Sequence, residues 1–327
     1  MKNLIQDFPS HLLATVDYDY SAFQRLPNTV SNIVISGLGG SGIGASVVSD
    51  LLSPSCSVPI IVNKTYHAPA FANQNTLFIA VSYSGNTEET MQALEMALDQ
   101  NCQVVGIASG GKLAEMAKQH GFPVLMIPGG NPPRSMLGYA LTGLLGILSK
   151  IGFVDFNDVK SDFIQFSNSL KNGLLDEIHS ATQELAAAIA DKIPVVYASS
   201  GTAAVATRWR QQLNENAKMP GWDAEVPEMN HNELVGWAGG DSKFAVMMLE
   251  TDFDYSRNRQ RNALAIPKLA AITNVYVIEA KGNTHLEQLL YLIHYGDWLS
   301  YYLSEIRQVD IMDIAIIDYL KSSLEKF

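Results

Sequence analysis

Thr76-Leu-Phe-Ile-Ala-Val81, followed at once by Ser82-Tyr-Ser-Gly-Asn-Thr-Glu-Glu-Thr90, is the stretch that decides the fold. The first six residues are a short, continuous apolar run with polar flanks, which predicts a buried parallel strand. Met91, Leu94 and Leu98 then recur three and four residues apart, the period of a helix. The hydroxyl-rich loop therefore joins the carboxyl end of a strand to the start of a helix. Ser82, Ser84, Thr87 and Thr90 supply hydroxyls, and Gly85 admits a close backbone approach. Free amides and the dipole at a helix start favour an anion, and a phosphate monoester is the simplest candidate. Taken alone, the same residues also read as a helix cap with surplus hydroxyls.

Upstream, Asn32–Ser36 reads as a β-branched strand that runs into Gly37-Leu-Gly-Gly-Ser-Gly-Ile-Gly44, with a helix expected over Ala45–Leu52. Gly37-Leu38-Gly39-Gly40-Ser41-Gly42 satisfies the dinucleotide pattern, but that pattern also needs an acidic residue about 20 positions on for the ribose. Asp50 comes too early, and Asn63 carries no charge. A turn that contacts a small anion or a sugar is the better reading. Further strands are expected at Val58–Val62, Val104–Ala108 and Pro123–Ile127, and helices at Glu89–Asn101 and Leu113–Gly121. Alternation of this kind predicts a doubly wound parallel sheet with right-handed crossovers. Ligands of such sheets sit beyond the carboxyl ends of the strands, where the Gly37–Gly44 and Ser82–Thr87 loops can converge on one ligand. Residues 1–29 read as a helical lead-in, with Pro9 and Pro27 as punctuation.

Pro128-Gly-Gly-Asn-Pro-Pro-Arg134 breaks the pattern before a helix over Met136–Lys150. A cation near a helix start opposes the macrodipole, so Arg134 reads either as solvated or as the partner of an anion. Residues 151–180 change character: acidic residues interleave with Phe and Leu and no strand is evident. A second alternation then opens with the strand Ile193–Ala198, a Ser199-Ser-Gly-Thr202 loop and a helix. Later strands are expected at Lys243–Glu250 and Val275–Glu279, and helices near Arg257–Thr273 and Thr284–Ile306. The fold class is thus α/β, two doubly wound, flavodoxin-like parallel-sheet domains in tandem. The expected division is residues 1–152, a helical linker at 153–185, and residues 186–327.

In the helix after Thr202, Val205, Trp209, Leu213 and Ala217 form an apolar stripe, while Arg208, Gln211 and Glu215 share another face. Glu215 points roughly 200° away from Leu213. Lys218 to Glu233 reads as a long irregular loop rich in Pro, Trp and Asn, and such loops are more often functional than filler. It contains His231, a natural proton carrier near neutral pH. Alone, Glu215 reads first as a solvated helix carboxylate and His231 as an ordinary polar histidine.

Composition narrows the class. Hydrophobic residues make up 47% of the 327, enough for two cores, and a net charge of −11 argues against a nucleic-acid binder. Cys56 and Cys102 give no disulfide framework and read as free thiols. The N-terminus lacks the apolar core of a signal peptide, and no uncharged apolar run reaches the roughly 18 residues of a membrane span. The expectation is a soluble cytoplasmic protein with no membrane partner.

Gly39-Gly-Ser-Gly, Ser82-Tyr-Ser-Gly-Asn-Thr-Glu-Glu, Arg208-Trp-Arg-Gln-Gln-Leu-Asn-Glu-Asn-Ala-Lys and Asn230-His-Asn-Glu occur in this order along the chain. Together they resemble the bifunctional phosphoglucose/phosphomannose isomerases, which are built from two sugar-isomerase (SIS) domains. The resemblance spans almost the whole chain. It implies aldose–ketose isomerisation of a hexose 6-phosphate through a cis-enediol, with no metal, nucleotide or other cofactor. By the same resemblance, Ser41, Ser82, Ser84 and Thr87 would hold the phosphate, with Gly39 and Gly40 at the substrate. Glu215 would carry the proton between C1 and C2, and Arg134 would stabilise the enediolate. His231 would help open the ring from the partner subunit of a homodimer with a shared site, and Lys321 is the best match to a ring-opening lysine. The segment before that lysine commonly holds a threonine linked to acceptance of the mannose epimer. None occurs here after Thr284, which makes the glucose reaction the safer assignment. Two alternatives stand beside this reading: a non-catalytic sugar-phosphate-binding SIS module, and another SIS-domain phosphosugar isomerase.

Overall fold

The computed structural model describes residues 1–24, 26, 28–324 and 326. Pro27, expected as punctuation in the lead-in, lies outside the described residues. The lead-in forms α1 (Lys2–Gln6) and α2 (Phe8–Ala14). The first alternation follows as β1 (Asn32–Ser36), α3 (Gly39–Leu52), β2 (Ile60–Asn63), β3 (Thr76–Val81), α4 (Glu88–Asp99), β4 (Gln103–Ala108), α5 (Gly111–His120), β5 (Val124–Met126) and α6 (Leu137–Ile151). Two helices, α7 (Phe156–Ser169) and α8 (Leu175–Ile189), lead to the second alternation. That one comprises β6 (Ile193–Ser199), α9 (Ala203–Ala217), β7 (Trp222–Val226), α10 (Glu233–Gly236), β8 (Phe244–Glu250), α11 (Ser256–Ala270), β9 (Asn274–Glu279), α12 (His285–Ile306) and α13 (Ala315–Leu324).

Among the described residues the strands form two parallel sheets, in the orders β2-β1-β3-β4-β5 and β7-β6-β8-β9. Both reverse direction beside their first strand, so each has a switch-point crevice at the carboxyl ends, between β1 and β3 and between β6 and β8. All six residues of β3 are buried, because helices cover both faces of a parallel sheet. Each large aliphatic side chain so buried contributes about 1.5–3 kcal/mol relative to exposure.

Two expectations are corrected. The helix expected from Ala45 begins at Gly39, so Gly39–Gly44 is its first turns and not a free loop. The segment from Lys218 to Glu233 is not irregular throughout: Trp222–Val226 is strand β7, paired in register with Val195–Ser199 of β6. It escapes recognition because it is an edge strand whose Asp223 and Glu225 interrupt the apolar pattern.

The expected stripe of α9 is buried: Val205, Trp209, Leu213 and Ala217 are each at most 1% exposed. Trp209 fixes this helix against α12. Its indole Nε1 donates to the Leu292 carbonyl at 2.8 Å, and a Cβ at Gly296 would stand 2.4 Å from that nitrogen. Gly296 is therefore the residue that lets α9 lie so close to α12, and α9 carries Glu215. No described helix is long and apolar enough to cross a membrane.

Candidate active site

The two uncapped helix starts of the first sheet meet at its switch point. Neither α3 nor α4 has a side-chain cap on its N-terminus, which leaves first-turn amides available to an anion. Ser41 Oγ accepts from the Tyr83 amide at 3.1 Å and so joins the two loops. Ser84 is exposed and Thr87 half-buried, whereas Ser82 is fully buried. The Ser82 hydroxyl lies 2.9 Å from Thr87 Oγ1 and accepts from the Thr87 amide at 3.3 Å. Ser82 thus shapes the loop from beneath, while Ser84, Thr87 and the free amides form its outer surface.

The Arg134 segment sits directly on these loops. The Asn131 amide donates to Tyr83 Oη at 3.0 Å. A Cβ on Gly40 would lie 2.8 Å from the Pro133 carbonyl oxygen and 3.1 Å from the Arg134 nitrogen. Only glycine admits that approach, and it brings Arg134 to the edge of the hydroxyl crevice.

Arg134 then reaches across to the second half of the chain. Its Nη1 stands 3.3 Å from Glu215 Oε2, with the arginine side chain 5% and the glutamate 31% exposed. Its Nε donates to Asn216 Oδ1 at 2.8 Å and its Nη2 to the Ile311 carbonyl at 2.7 Å. Burial lowers the pKa of the guanidinium from its ordinary value, against a smaller opposing effect of Glu215. The anionic neighbour that a cation at a helix start calls for is therefore Glu215, a carboxylate with one buried cationic neighbour and an open side.

A buried polar chain behind the pair was not legible from local pattern. Arg208, on the same face as Glu215, is buried at 2% exposure. Its Nη2 donates to Asp297 Oδ2 at 2.7 Å and to the Arg134 carbonyl at 3.1 Å. Gln212 donates to the other Asp297 oxygen at 2.7 Å, and Asn216 donates to Ser300 Oγ at 2.9 Å. The residues that hold Arg134 thus come from α9 and the segment after α12, with Asp297 and Ser300 of α12 behind them. Lys218, at the left-handed C-cap of α9, donates to the Glu215 carbonyl at 2.7 Å and to the Asp310 carbonyl at 2.6 Å.

Two expected site residues make no hydrogen-bond or ion-pair contact with this cluster among the described residues. His231 ends a short turn that follows β7 and is exposed. Glu215 lies near the C-terminal end of α9, whereas His231 follows the carboxyl end of β7, beside the strand from which α9 departs. Fifteen helical residues span about 22 Å, so the two groups are at opposite ends of the second sheet. Lys321 lies on α13, an exposed helix in which Ile316 and Tyr319 are 82% and 71% exposed. The segment leading into α13 passes the site, because Asp310 and Ile311 supply carbonyls to Lys218 and Arg134.

Comparison with known proteins gives this arrangement a family. The profile of the bacterial phospho-glucose isomerase C-terminal SIS domain matches residues 178–324. The chain is 35% identical over 304 residues to a bifunctional phosphoglucose/phosphomannose isomerase of Caldicellulosiruptor bescii, covering 90% of each chain. It is 36% identical over 299 residues to the protein of the same name from Thermoplasma acidophilum, again covering 90% of each. Among solved structures, the C-terminal domain of glucosamine-fructose-6-phosphate aminotransferase from Francisella tularensis superposes with a TM-score of 0.76 at 13% identity, covering 94% of this chain and 96% of the other. That likeness concerns the fold, two tandem SIS-like domains. The chain belongs to the bifunctional phosphoglucose/phosphomannose isomerase family.

Proposed function

We propose that the protein is an aldose–ketose isomerase that interconverts glucose 6-phosphate, and mannose 6-phosphate, with fructose 6-phosphate, with Glu215 as the base. The observation that carries this reading is the Arg134–Glu215 pair at 3.3 Å, set beside the hydroxyl crevice by the contact at Gly40. Isomerisation needs a base that removes a proton from one carbon and returns it to its neighbour. A half-exposed carboxylate has room to move between C1 and C2. The Arg134 guanidinium, fixed by two further hydrogen bonds, is aimed where negative charge would develop on the enediolate oxygens. Ser41, Ser84, Thr87 and the free amides, with Ser82 beneath them and Gly39 and Gly40 alongside, would anchor the phosphate. That anchor lies away from the reacting carbons and contributes orientation.

Ring opening needs a separate acid and base at the ring oxygen and O1. In this reading His231 and Lys321 supply them. Since His231 stands about a helix length from Glu215 in its own chain, it would serve the site of a second copy, and the working unit would be a cytoplasmic homodimer with shared sites. The chain would divide at residues 1–152, 153–185 and 186–327, with the phosphate held by the first part and the base supplied by the last. The half-buried free thiols Cys56 and Cys102 suit a reducing compartment.

A coupled assay with glucose, mannose and fructose 6-phosphates tests the activity, and Glu215→Gln tests the base. The variant is expected to bind fructose 6-phosphate with an unchanged dissociation constant and to lose turnover at least about 10³-fold, as removal of an essential proton carrier should. Near-normal turnover would remove Glu215 from this role. Binding without turnover in the unmodified protein would favour a sugar-phosphate-binding module instead.

A further inference from the structure

The Asn230-His231-Asn232-Glu233 motif gives only His231 to the reading above, yet Glu233 is the member with a built environment. Its Oε1 accepts a hydrogen bond from the Trp222 indole Nε1 at 2.6 Å and another, short one from the Tyr197 hydroxyl. The Trp237 indole in turn donates to Tyr197 Oη at 2.9 Å. Tyr197 is fully buried on the central strand β6, Trp222 opens the edge strand β7, and Trp237 is 5% exposed just beyond α10. One carboxylate therefore ties the central strand, the edge strand and the segment after β7 together. Burial raises the Tyr197 pKa, as does the neighbouring Glu233 carboxylate, so the phenol remains the donor and Glu233 the acceptor.

The turn that carries His231 is closed by hydrogen bonds between Asn232 and residues before and after it. Asn232 Oδ1 accepts from the Glu233 amide at 2.5 Å, and Asn232 Nδ2 donates to Glu228 Oε1 at 2.8 Å. Met229 is 1% exposed and packs into the apolar cluster that holds Tyr197 and Trp237. The His231 ring itself is exposed and makes no hydrogen bond among the described residues. Its placement comes from the backbone that carries it, and the backbone is tied to the sheet two residues later, at Glu233.

We propose that Glu233 is the positioning residue for His231: its carboxylate, accepting from Tyr197 and Trp222, fixes the turn that presents the imidazole for ring opening. This rests on the reading of His231 as a ring-opening group. Hydrogen bonds to an ionised acceptor are about twice as strong as neutral ones, and donors on two strands define both the position and the direction of the turn. Tyr197 and Trp222 converging on the carboxylate, with Trp237 bracing the Tyr197 hydroxyl, give it the rigid support that a group placed within a fraction of an ångström requires.

The test is a double-mutant cycle in the full-length protein, reading kcat and KM separately with glucose 6-phosphate and checking fold by circular dichroism. Glu233→Ala is expected to lower kcat about 10–100-fold, the scale of an ångström of misplacement, with KM within about threefold. Glu233→Gln keeps the shape and a neutral acceptor, and is expected to recover most of that loss. In a His231→Ala background, Glu233→Ala should change kcat less than about twofold, because a positioning residue has nothing left to position. Should Glu233→Ala fail to fold, Glu233→Gln and Trp222→Phe, which removes one donor, carry the same comparison with losses of about 3–10-fold. Losses that multiply in the double variant would overturn the proposal, as would wild-type kcat in both Glu233 variants. If His231→Ala alone leaves kcat within twofold, the role of His231 falls and the positioning proposal with it; Glu215→Gln then still tests the isomerase reading independently.

Discussion

Replacing Arg134 by lysine separates the charge at the site from the geometry of the group that carries it. The guanidinium directs Nε to Asn216, Nη2 to the Ile311 carbonyl and Nη1 toward Glu215. A lysine ammonium is a single point on a flexible stem and cannot satisfy three divergent acceptors. Hydrogen bonds from a charged group contribute about 1.5–3 kcal/mol each. Losing one that acts only on the developing enediolate therefore predicts a fall in kcat of about 10–150-fold. KM should stay within about threefold if, as proposed, the phosphate is anchored at the Ser84–Thr87 loop away from Arg134. The Asn216 oxygen, fully buried, would lose its donor, which adds a stability loss of about 1–3 kcal/mol. Asn216→Ala is the control: it removes that acceptor but leaves the charge, and should reproduce the stability loss with a smaller fall in kcat. Steady-state kinetics and urea unfolding on the three proteins decide the matter. If Arg134→Lys retains kcat within threefold while its stability falls as calculated, Arg134 supports structure and does not stabilise the reacting charge.

Three further outcomes are expected. Gly40→Ala places a Cβ 2.8 Å from the Pro133 carbonyl and should push the Arg134 segment off the hydroxyl crevice, lowering kcat/KM about 10–100-fold with the fold retained by circular dichroism; unaltered kinetics would show that the contact is not needed. His294, buried against Phe8 and accepting from Trp298, has its pKa lowered by burial from 6.5 to about 3, so its contribution to stability is complete above pH 6.5 and is lost as pH falls toward 3. Between pH 7.5 and 5 the protein should lose about 2 kcal/mol more than His294→Gln in urea unfolding, and parallel curves would refute this. Mixing Glu215→Gln with His231→Ala subunits under conditions of proven exchange should restore activity toward about a quarter of wild type if sites are shared between copies; no recovery would refute the sharing of sites and the ring-opening role given to His231.

What the sequence discloses here follows from what is local. Thr76–Val81 is legible because a strand buried on both faces needs an unbroken apolar run, and the burial of all six residues reflects that demand. The stripe of α9 is legible for the same reason, since its period is a property of the helix alone. The face of Arg208 is legible but its partner is not, because Asp297 lies 89 residues away. Nothing in the α9 sequence announces an anion supplied by α12. Strand β7 is missed because an edge strand tolerates polar residues, and Asp223 and Glu225 meet Arg210, Thr207 and Ser200 there. The motif residues at the site are visible as motifs, but the polar chain that orients Arg134 is a property of packing.

The two halves share a topology and differ where it matters chemically. In the first switch-point crevice, hydroxyls and uncapped amides face outward, with Ser84 exposed and Thr87 half-buried. In the second, the corresponding groups already hold carboxylates of the protein itself. Asp50, from α3, accepts from the Ala204 amide at the start of α9 at 2.8 Å. Asp254 accepts from both the amide and the hydroxyl of Thr251, at 3.1 Å and 2.9 Å. A negative charge in each position disfavours a phosphate there, by the same electrostatics that underlie the proposal of a phosphate in the first crevice. Asp50 also belongs to the first half, so the bond that occupies the second crevice joins the two halves of the chain. The same helix, α9, is capped by the first half at its start and presents Glu215 to Arg134 of the first half near its end. Its orientation is thereby fixed at both termini, which is the rigidity that the proposed reaction would require of a helix whose carboxylate is to meet a substrate held on the other sheet.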